Sequence, residues 1–218
     1  MPDNVKTWQM IHSERNALAD TLAGLSPEQW SSPSLCAGWT VKLAAAHVVA
    51  GAEQTVLGFF SGMAANGFRF NTMMDRDARR LGALSTGEIV ERLRARTTTT
   101  NRPPATVVTV LGEVVIHGED IREALGLQGT TPADATLACL DLYKGANFPL
   151  GSKKRIDGLR LVATDADWSH GSGPEVSGPA MSLLLAMTGR RVAADGLGGA
   201  GAEVLRGRLA GASGVTSA

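Results

Sequence analysis

Apolar residues recur at intervals of three and four in the first part of the chain, which is the spacing of one helix face. Through residues 5–25 these positions hold Val5, Trp8, Ile11, Leu18, Leu22 and Leu25. Residues 26–29 and 85–88 each have a serine followed three places later by Gln or Glu, a pattern that indicates a capping box at a helix start. Thr40 is an N-cap residue before an alanine-rich run, so we expect a helix from Thr40 to about Phe60.

The segment from Val107 to Leu125 carries conflicting signals. Its valines, isoleucines and threonine favour a strand locally. The run is nevertheless far longer than an ordinary strand, and Gly126 is a natural end for a helix. We therefore predict one helix here, followed by another from Thr131 to about Ala146.

The pattern changes after this helix. Residues 158–164 alternate between apolar and polar side chains and predict a strand, whereas residues 167–179 are rich in turn formers. A short apolar helix is expected from Pro179 to Thr188. A last amphipathic helix follows residues 196–201, which are rich in glycine and expected to be flexible.

These elements predict a mainly α fold class. We expect a helical bundle over residues 1–147, interrupted by a connection at 62–71, and a small α/β C-terminal domain over residues 148–212. Residues 213–218 are small and polar and are expected to be a flexible tail.

Composition narrows the functions to consider. The chain has 218 residues, 44% of them hydrophobic, with 21 basic and 21 acidic side chains. Without a surplus of positive charge we expect no nucleic-acid partner, and no apolar run is long enough to suggest a membrane span. The first residues lack the features of a secretory signal, and Cys36 and Cys139 are the two cysteines. We therefore expect a cytoplasmic protein without a disulfide framework.

The most informative chemistry lies in the predicted helix of residues 107–125. Glu113 and His117 are four residues apart, so in a helix they lie one above the other on the same face. His47 is on the alanine-rich helix, on the face that should point at a core. Two histidines and a carboxylate form a donor set for a divalent metal, and three protein ligands leave a position open, as in catalytic sites.

Spacing alone leaves other interpretations open. A buried histidine is often only hydrogen-bonded within a core, and Glu113 could pair with Arg122 or another cation, with a surface ion pair expected for Arg122. Asp120, close to one turn beyond His117, could accept a hydrogen bond from a ligand imidazole or be a solvated charge near the helix end. Cys36 has no charged neighbour in the sequence and is interpreted as a structural thiol.

Two motifs resemble a known family. Residues 33–41 read PSLCAGWTV and run into the alanines before His47, and residues 113–122 read EVVIHGEDIR. Both resemble the mycothiol-dependent maleylpyruvate isomerase family of the DinB-like superfamily. Residues 178–190 are similar, more loosely, to the second domain of that family.

The resemblance implies a DinB-like four-helix bundle that holds a divalent metal, typically zinc, on His47, Glu113 and His117. It also implies mycothiol as a thiol cosubstrate whose sulfur binds the metal. A thiol with a pKa of about 8.5 is mostly protonated at neutral pH, and coordination to a metal deprotonates it. The thiolate would then attack an electrophilic small molecule, in a transferase or a cis–trans isomerase. The family's isomerase is expected to have a longer C-terminal domain than this chain, which leaves the electrophile unassigned.

Other functions stay open at this point. A metal hydrolase could use metal-bound water on the same bundle, and a non-catalytic metal-binding stress module or a metal-free dimerisation protein would fit the helical pattern. A homodimer is considered because bundles often associate through a helix face. Trp39 is expected to pack at a helix start or to wall a ligand pocket. Four arginines of the second domain could hold an acidic substrate: Arg190, Arg191, Arg206 and Arg208.

Overall fold

The computed structural model describes residues 4–129 and 131–211, which fall into two compact units. The first unit extends to Thr130 and the second begins at Thr131. The expected end of the bundle, residue 147, lies later in the chain than this division. The expected tail at 213–218 lies outside the described residues.

The first unit is built from helices. Their bounds are α1 Asn4–Ala23, α2 Pro27–Ser31, α3 Val41–Glu53, α4 Val56–Ala65, α5 Phe70–Gly82, α6 Thr86–Arg94 and α7 Val107–Ala124. α1 packs against α7, α7 against α3, α3 against α6, and α6 against α1, while α5 packs on α3. The four-helix bundle expected from the sequence is therefore confirmed.

Helix starts in this unit follow the sequence signals. Ser26 and Ser85 each accept a hydrogen bond from the backbone N–H three residues later, and the Gln or Glu at that place reaches back to the serine N–H. Thr40 accepts from the backbone N–H of Leu43 at 3.3 Å. These caps satisfy backbone donors that the first turn of a helix leaves without partners.

The single helix expected from Thr40 to about Phe60 is wrong. The structure has two helices there, because α3 ends at Glu53 and Thr55 caps α4 by accepting from the N–H of Gly58 at 3.0 Å. The connection expected at 62–71 is also wrong in its extent, since α4 continues to Ala65 and α5 begins at Phe70.

The predicted helix of residues 107–125 is confirmed as α7. Its β-branched residues are mostly buried, and the helix packs against both α1 and α3. Burial in the bundle therefore outweighs their local preference for a strand. Gly126 has a φ of +65°, a conformation that glycine adopts readily just past a helix end.

The second unit combines helices with a small sheet. Its elements are α8 Ala133–Tyr143, α9 Ser152–Ile156, β1 Arg160–Ala163, β2 Ser169–Gly171, β3 Glu175–Gly178, α10 Ala180–Met187 and α11 Ala202–Gly211, with a short 3-10 turn at Val192–Ala194. β1 is the central strand, antiparallel to β2 and parallel to β3. α8, which the sequence analysis assigned to the bundle, packs against α10 in this unit. The α/β character expected for the C-terminal part of the fold is confirmed.

Two segments of this unit that are rich in turn formers or glycine take part in backbone pairing. Residues 167–179 contain β2 and β3. Both strands are too short to show a clear alternation of apolar and polar residues. Residues 196–201 include Gly198, which exchanges two backbone hydrogen bonds with Ser177 beside β3. Among the described residues, no helix is both long and apolar enough to cross a membrane.

Candidate metal centre

The first histidine of the site is held by α3. The three alanines at 44–46 are buried, and their small side chains let α3 approach α5 and α7 closely. His47 follows them and is 3% exposed. A histidine on this helix therefore lies inside the bundle, as its helical face predicted.

α7 supplies three more polar residues to the same place. Glu113 and His117 lie four residues apart along the helix, and Asp120 follows three residues later. The side chains of His117 and Asp120 are 8% and 0% exposed, whereas the side chain of Glu113 is 38% exposed. The cluster is therefore buried on its histidine side and meets solvent at Glu113.

The polar atoms of these residues converge. Nε2 of His47 lies 3.0 Å from Oε2 of Glu113, and Nε2 of His117 lies 3.8 Å from the same oxygen. The two imidazole rings meet edge to face with their centroids 4.6 Å apart. One ligand atom from each of the three residues lies within 4.8 Å of the others. The structure thus brings together the three side chains predicted as metal ligands, and their binding of a metal stays a prediction.

This donor set fits a divalent metal. Ligand atoms about 2.0–2.2 Å from one tetrahedral zinc ion stand roughly 3.3–3.6 Å apart, and the contacts to Glu113 bracket that separation at 3.0 and 3.8 Å. Two neutral imidazoles and one carboxylate would leave a divalent ion with one net positive charge. Such a centre favours an anionic further ligand, and the solvent-facing side of Glu113 is where that ligand could enter.

Asp120 contacts the His117 ring at Nδ1, whereas Nε2 is the ring nitrogen nearer to Glu113. Nδ1 of His117 lies 2.9 Å from Oδ2 of Asp120. Because an ionised carboxylate only accepts, His117 donates from Nδ1 and keeps a lone pair on Nε2 for a metal. Burial lowers the pKa of His117, the hydrogen bond to Asp120 opposes this shift, and the neighbouring His47 adds to it. The neutral, ligating form is therefore favoured, and the interpretation of Asp120 as a solvated charge is wrong.

Trp39 packs on both imidazoles. Its ring centroid lies 5.0 Å from that of His47 and 6.1 Å from that of His117, and the residue is 4% exposed. Nδ1 of His47 has no hydrogen-bond partner within the described part of the chain. Packing against Trp39 therefore helps to orient the His47 ring. Trp39 lies both at the start of α3 and at the wall of the site, so the two expectations for it are compatible.

Cys36 lies at the site although its sequence pattern did not indicate this. Its buried thiol lies within 4.8 Å of ligand atoms of His117 and Asp120. The loop reaches α7 because the N–H of Leu35 donates to the backbone carbonyl of Asp120 at 3.1 Å. This closeness arises from tertiary structure between residues 84 positions apart (120 − 36), so no local pattern could have indicated it.

Arg122 forms an ion pair with Glu119. Nη1 of Arg122 lies 2.6 Å from Oε1 of Glu119, and the two side chains are 1% and 3% exposed. The expected surface ion pair is therefore wrong, because this pair is buried. Glu113 faces the two imidazoles.

Three arginines of the second unit donate hydrogen bonds to backbone carbonyls of the same unit. Arg206 and Arg208 each donate to two carbonyl oxygens at distances of 2.6–3.0 Å. Arg190 is buried and donates to the carbonyl of Thr188 at 3.0 Å. These bonds brace the second unit, and a role of any of these arginines in substrate binding stays a prediction.

A family comparison agrees with this geometry. The family model described as the mycothiol maleylpyruvate isomerase N-terminal domain matches residues 11–122, slightly more than half of the chain. The chain belongs to this family. The match contains His47, Glu113 and His117, together with Trp39. The resemblance noted in the sequence is thereby confirmed, and with it the expectation that the chain belongs to a family of enzymes.

Solved structures share the fold over nearly the whole chain. A histidine-to-alanine variant of the mycothiol-dependent maleylpyruvate isomerase matches with a TM-score of 0.62 and 15% identity, covering 91% of this chain and 93% of the other. The same isomerase without that change matches with a TM-score of 0.60, 14% identity and the same coverage. The chain therefore has the fold of this isomerase, and the expectation of a longer C-terminal domain in the isomerase is wrong. No curated protein matches the chain.

Proposed function

We propose that this protein is a metal-dependent enzyme that activates mycothiol and uses it to isomerise an electrophilic small molecule or to form an adduct with it. Membership of the isomerase family supports the thiol and the isomerisation. The observation that carries the metal is the convergence of ligand atoms from His47, Glu113 and His117 within 4.8 Å.

His47, Glu113 and His117 would hold the metal, and we propose zinc because two imidazoles and a carboxylate suit it. When bound, a divalent metal lowers the pKa of a coordinated thiol and supplies a thiolate at neutral pH. Asp120 keeps the proton of His117 on Nδ1, so that Nε2 stays available as a donor. Trp39 packs on both rings.

The proposed isomerisation returns the thiol unchanged. The sulfur bonds to one carbon of a conjugated double bond, and the displaced electron pair moves into the adjoining carbonyl group. The former double bond is now single and rotates. The electron pair then returns and the C–S bond breaks, which releases the isomer and the thiolate. In a transferase, protonation of the adduct at carbon would end the reaction instead.

Thiol dependence tests this proposal. Zinc-loaded protein is assayed with maleylpyruvate, the substrate in the name of the structural neighbours, and with other conjugated electrophiles, each with and without mycothiol. We expect turnover only with mycothiol. We expect Glu113→Gln to lower turnover by more than about 100-fold. Losing a metal ligand lowers activity more than losing a residue that hydrogen-bonds to a ligand.

The control for this assay is Glu123→Gln, which changes an exposed glutamate on the same helix. It should keep the activity of the unchanged protein. Hydrolysis that needs no thiol would support the metal hydrolase instead. Full activity of Glu113→Gln would contradict the proposed ligand set.

A further inference from the structure

The loop before α3 fixes the backbone of Cys36 on both sides. The N–H of Cys36 donates to Oγ of Ser34 at 3.2 Å, and its carbonyl accepts from the N–H of Trp39 at 3.0 Å. The N–H of Ser34 donates to the carbonyl of Trp39 at 2.9 Å, which closes the loop. Gly38, with a φ of +80°, makes the turn between them. The backbone of Cys36 is therefore held in place by the loop.

The same loop is tied to α7 at the residue behind the candidate metal centre. The N–H of Leu35 donates to the carbonyl of Asp120 at 3.1 Å. The sulfur of Cys36 and ligand atoms of His117 and Asp120 all lie within 4.8 Å of one another, and all three residues are buried. The thiol thus occupies space next to the carboxylate that accepts from His117.

A buried carboxylate keeps one orientation only while its surroundings hold it there. Asp120 accepts from His117 with Oδ2 at 2.9 Å. A thiol beside it fills volume and offers a weak S–H donor, whereas an apolar side chain of the same size offers none. Replacing the thiol would weaken the hold on Asp120 and, through it, the orientation of His117.

We propose that Cys36 is a positioning residue for the metal centre, acting through Asp120 on the His117 ring. The sequence alone indicated only a structural thiol. The part of this inference that concerns metal affinity rests on the proposed function, and the part that concerns the His117 ring applies to the metal-free protein as well.

The test compares two replacements of Cys36 with one matched control. Cys36→Val replaces the thiol with a slightly larger side chain that has no polar donor, and Cys36→Ser keeps a donor. Cys139→Val changes the other buried cysteine, which lies in the second unit. Zinc affinity is measured by competition with a chromophoric chelator. We expect affinity to fall about 10-fold in Cys36→Val, and to stay within about threefold in Cys36→Ser and Cys139→Val.

Nitrogen-15 NMR of the imidazoles in metal-free protein gives the second readout. In the unchanged protein we expect His117 to carry its proton on Nδ1, protected from exchange by Asp120. The Nδ1–H of His117 should lose that protection in Cys36→Val and keep it in Cys36→Ser. If the valine variant does not fold, Cys36→Ala removes the thiol without added bulk and is assessed by the same two measurements.

The outcomes separate the two proposals. A chain that binds no zinc contradicts the proposed function, while the His117 signal still tests the role of Cys36. Unchanged zinc affinity and unchanged protection of Nδ1–H in Cys36→Val would overturn the positioning role. Loss in Cys36→Val together with recovery in Cys36→Ser would establish it.

Discussion

Replacing Asp120 with Asn should weaken zinc binding without unfolding the bundle. The Asp120 side chain is 0% exposed and accepts from Nδ1 of His117 at 2.9 Å. Asn keeps the shape and an acceptor oxygen but removes the negative charge that makes the imidazole a better donor to a metal. Loss of such a partner lowers metal affinity about 10- to 100-fold, which corresponds to about 1.4–2.7 kcal/mol.

Increased protonation of His117 cannot explain weaker zinc binding in the Asp120→Asn variant. Asp120 raises the pKa of His117 against the effect of burial, so the Asn variant should have an even lower His117 pKa. Protonation would then compete less with the metal, and weaker binding must come from the ligand itself.

The assay is a titration of metal-free protein with zinc in the presence of a chromophoric chelator at neutral pH. Asp20→Asn is the control, because Asp20 is an exposed aspartate of the same unit. The control should bind zinc as the unchanged protein does. An Asp120→Asn variant whose affinity stays within twofold of the unchanged protein would refute the role assigned to this carboxylate.

Three further predictions follow from named contacts. Cobalt bound in place of zinc should quench the fluorescence of Trp39, because Trp39 packs on two proposed ligands. Trp39→Phe should therefore abolish most of the quenching, and Trp30→Phe, a change of another buried tryptophan, should not. Glu119→Gln should lower the free energy of unfolding by about 3–5 kcal/mol, since it leaves the charge of Arg122 buried without its partner. The lowered pKa of His117 means that metal-free protein loses stability as the pH falls below about 6.5, and His117→Gln should reduce this loss in denaturant titrations.

Each of these has a contradicting result. Equal quenching in Trp39→Phe would place the cobalt elsewhere, and a change in unfolding free energy below about 1 kcal/mol in Glu119→Gln would indicate a pair that is screened by solvent. A pH dependence of stability that is identical with and without His117 would show that this ring titrates alike in the folded and unfolded chain.

Helices were predictable where a capping pattern or the length of an apolar segment marked them. The capping boxes at Ser26 and Ser85 marked helix starts correctly, and the length of α7 outweighed its β-branched residues. The break between α3 and α4 was not predicted, because the polar residues at 53–55 fit the outer face of one continuous helix, and the capping role of Thr55 becomes visible only with the neighbouring backbone.

The candidate site was predictable for a different reason. Glu113 and His117 share a helix, so their spacing alone places them together. His47 was proposed from the core-facing side of its own helix, and the family resemblance supported all three residues. Cys36 and Trp39 approach the same rings from a loop, and such contacts depend on how the loop folds back on α7. Sequence periodicity carries no information about that closeness.

The most direct test of the central claim is the metal content of purified protein, measured by elemental analysis for the unchanged chain and for His117→Ala. We expect about one zinc ion per chain in the unchanged protein and its loss in the variant, because His117 is one of three proposed ligands. A chain that contains no metal and stays empty when zinc is supplied would contradict the account. His47, Glu113 and His117 would then be a hydrogen-bonded polar cluster of the core.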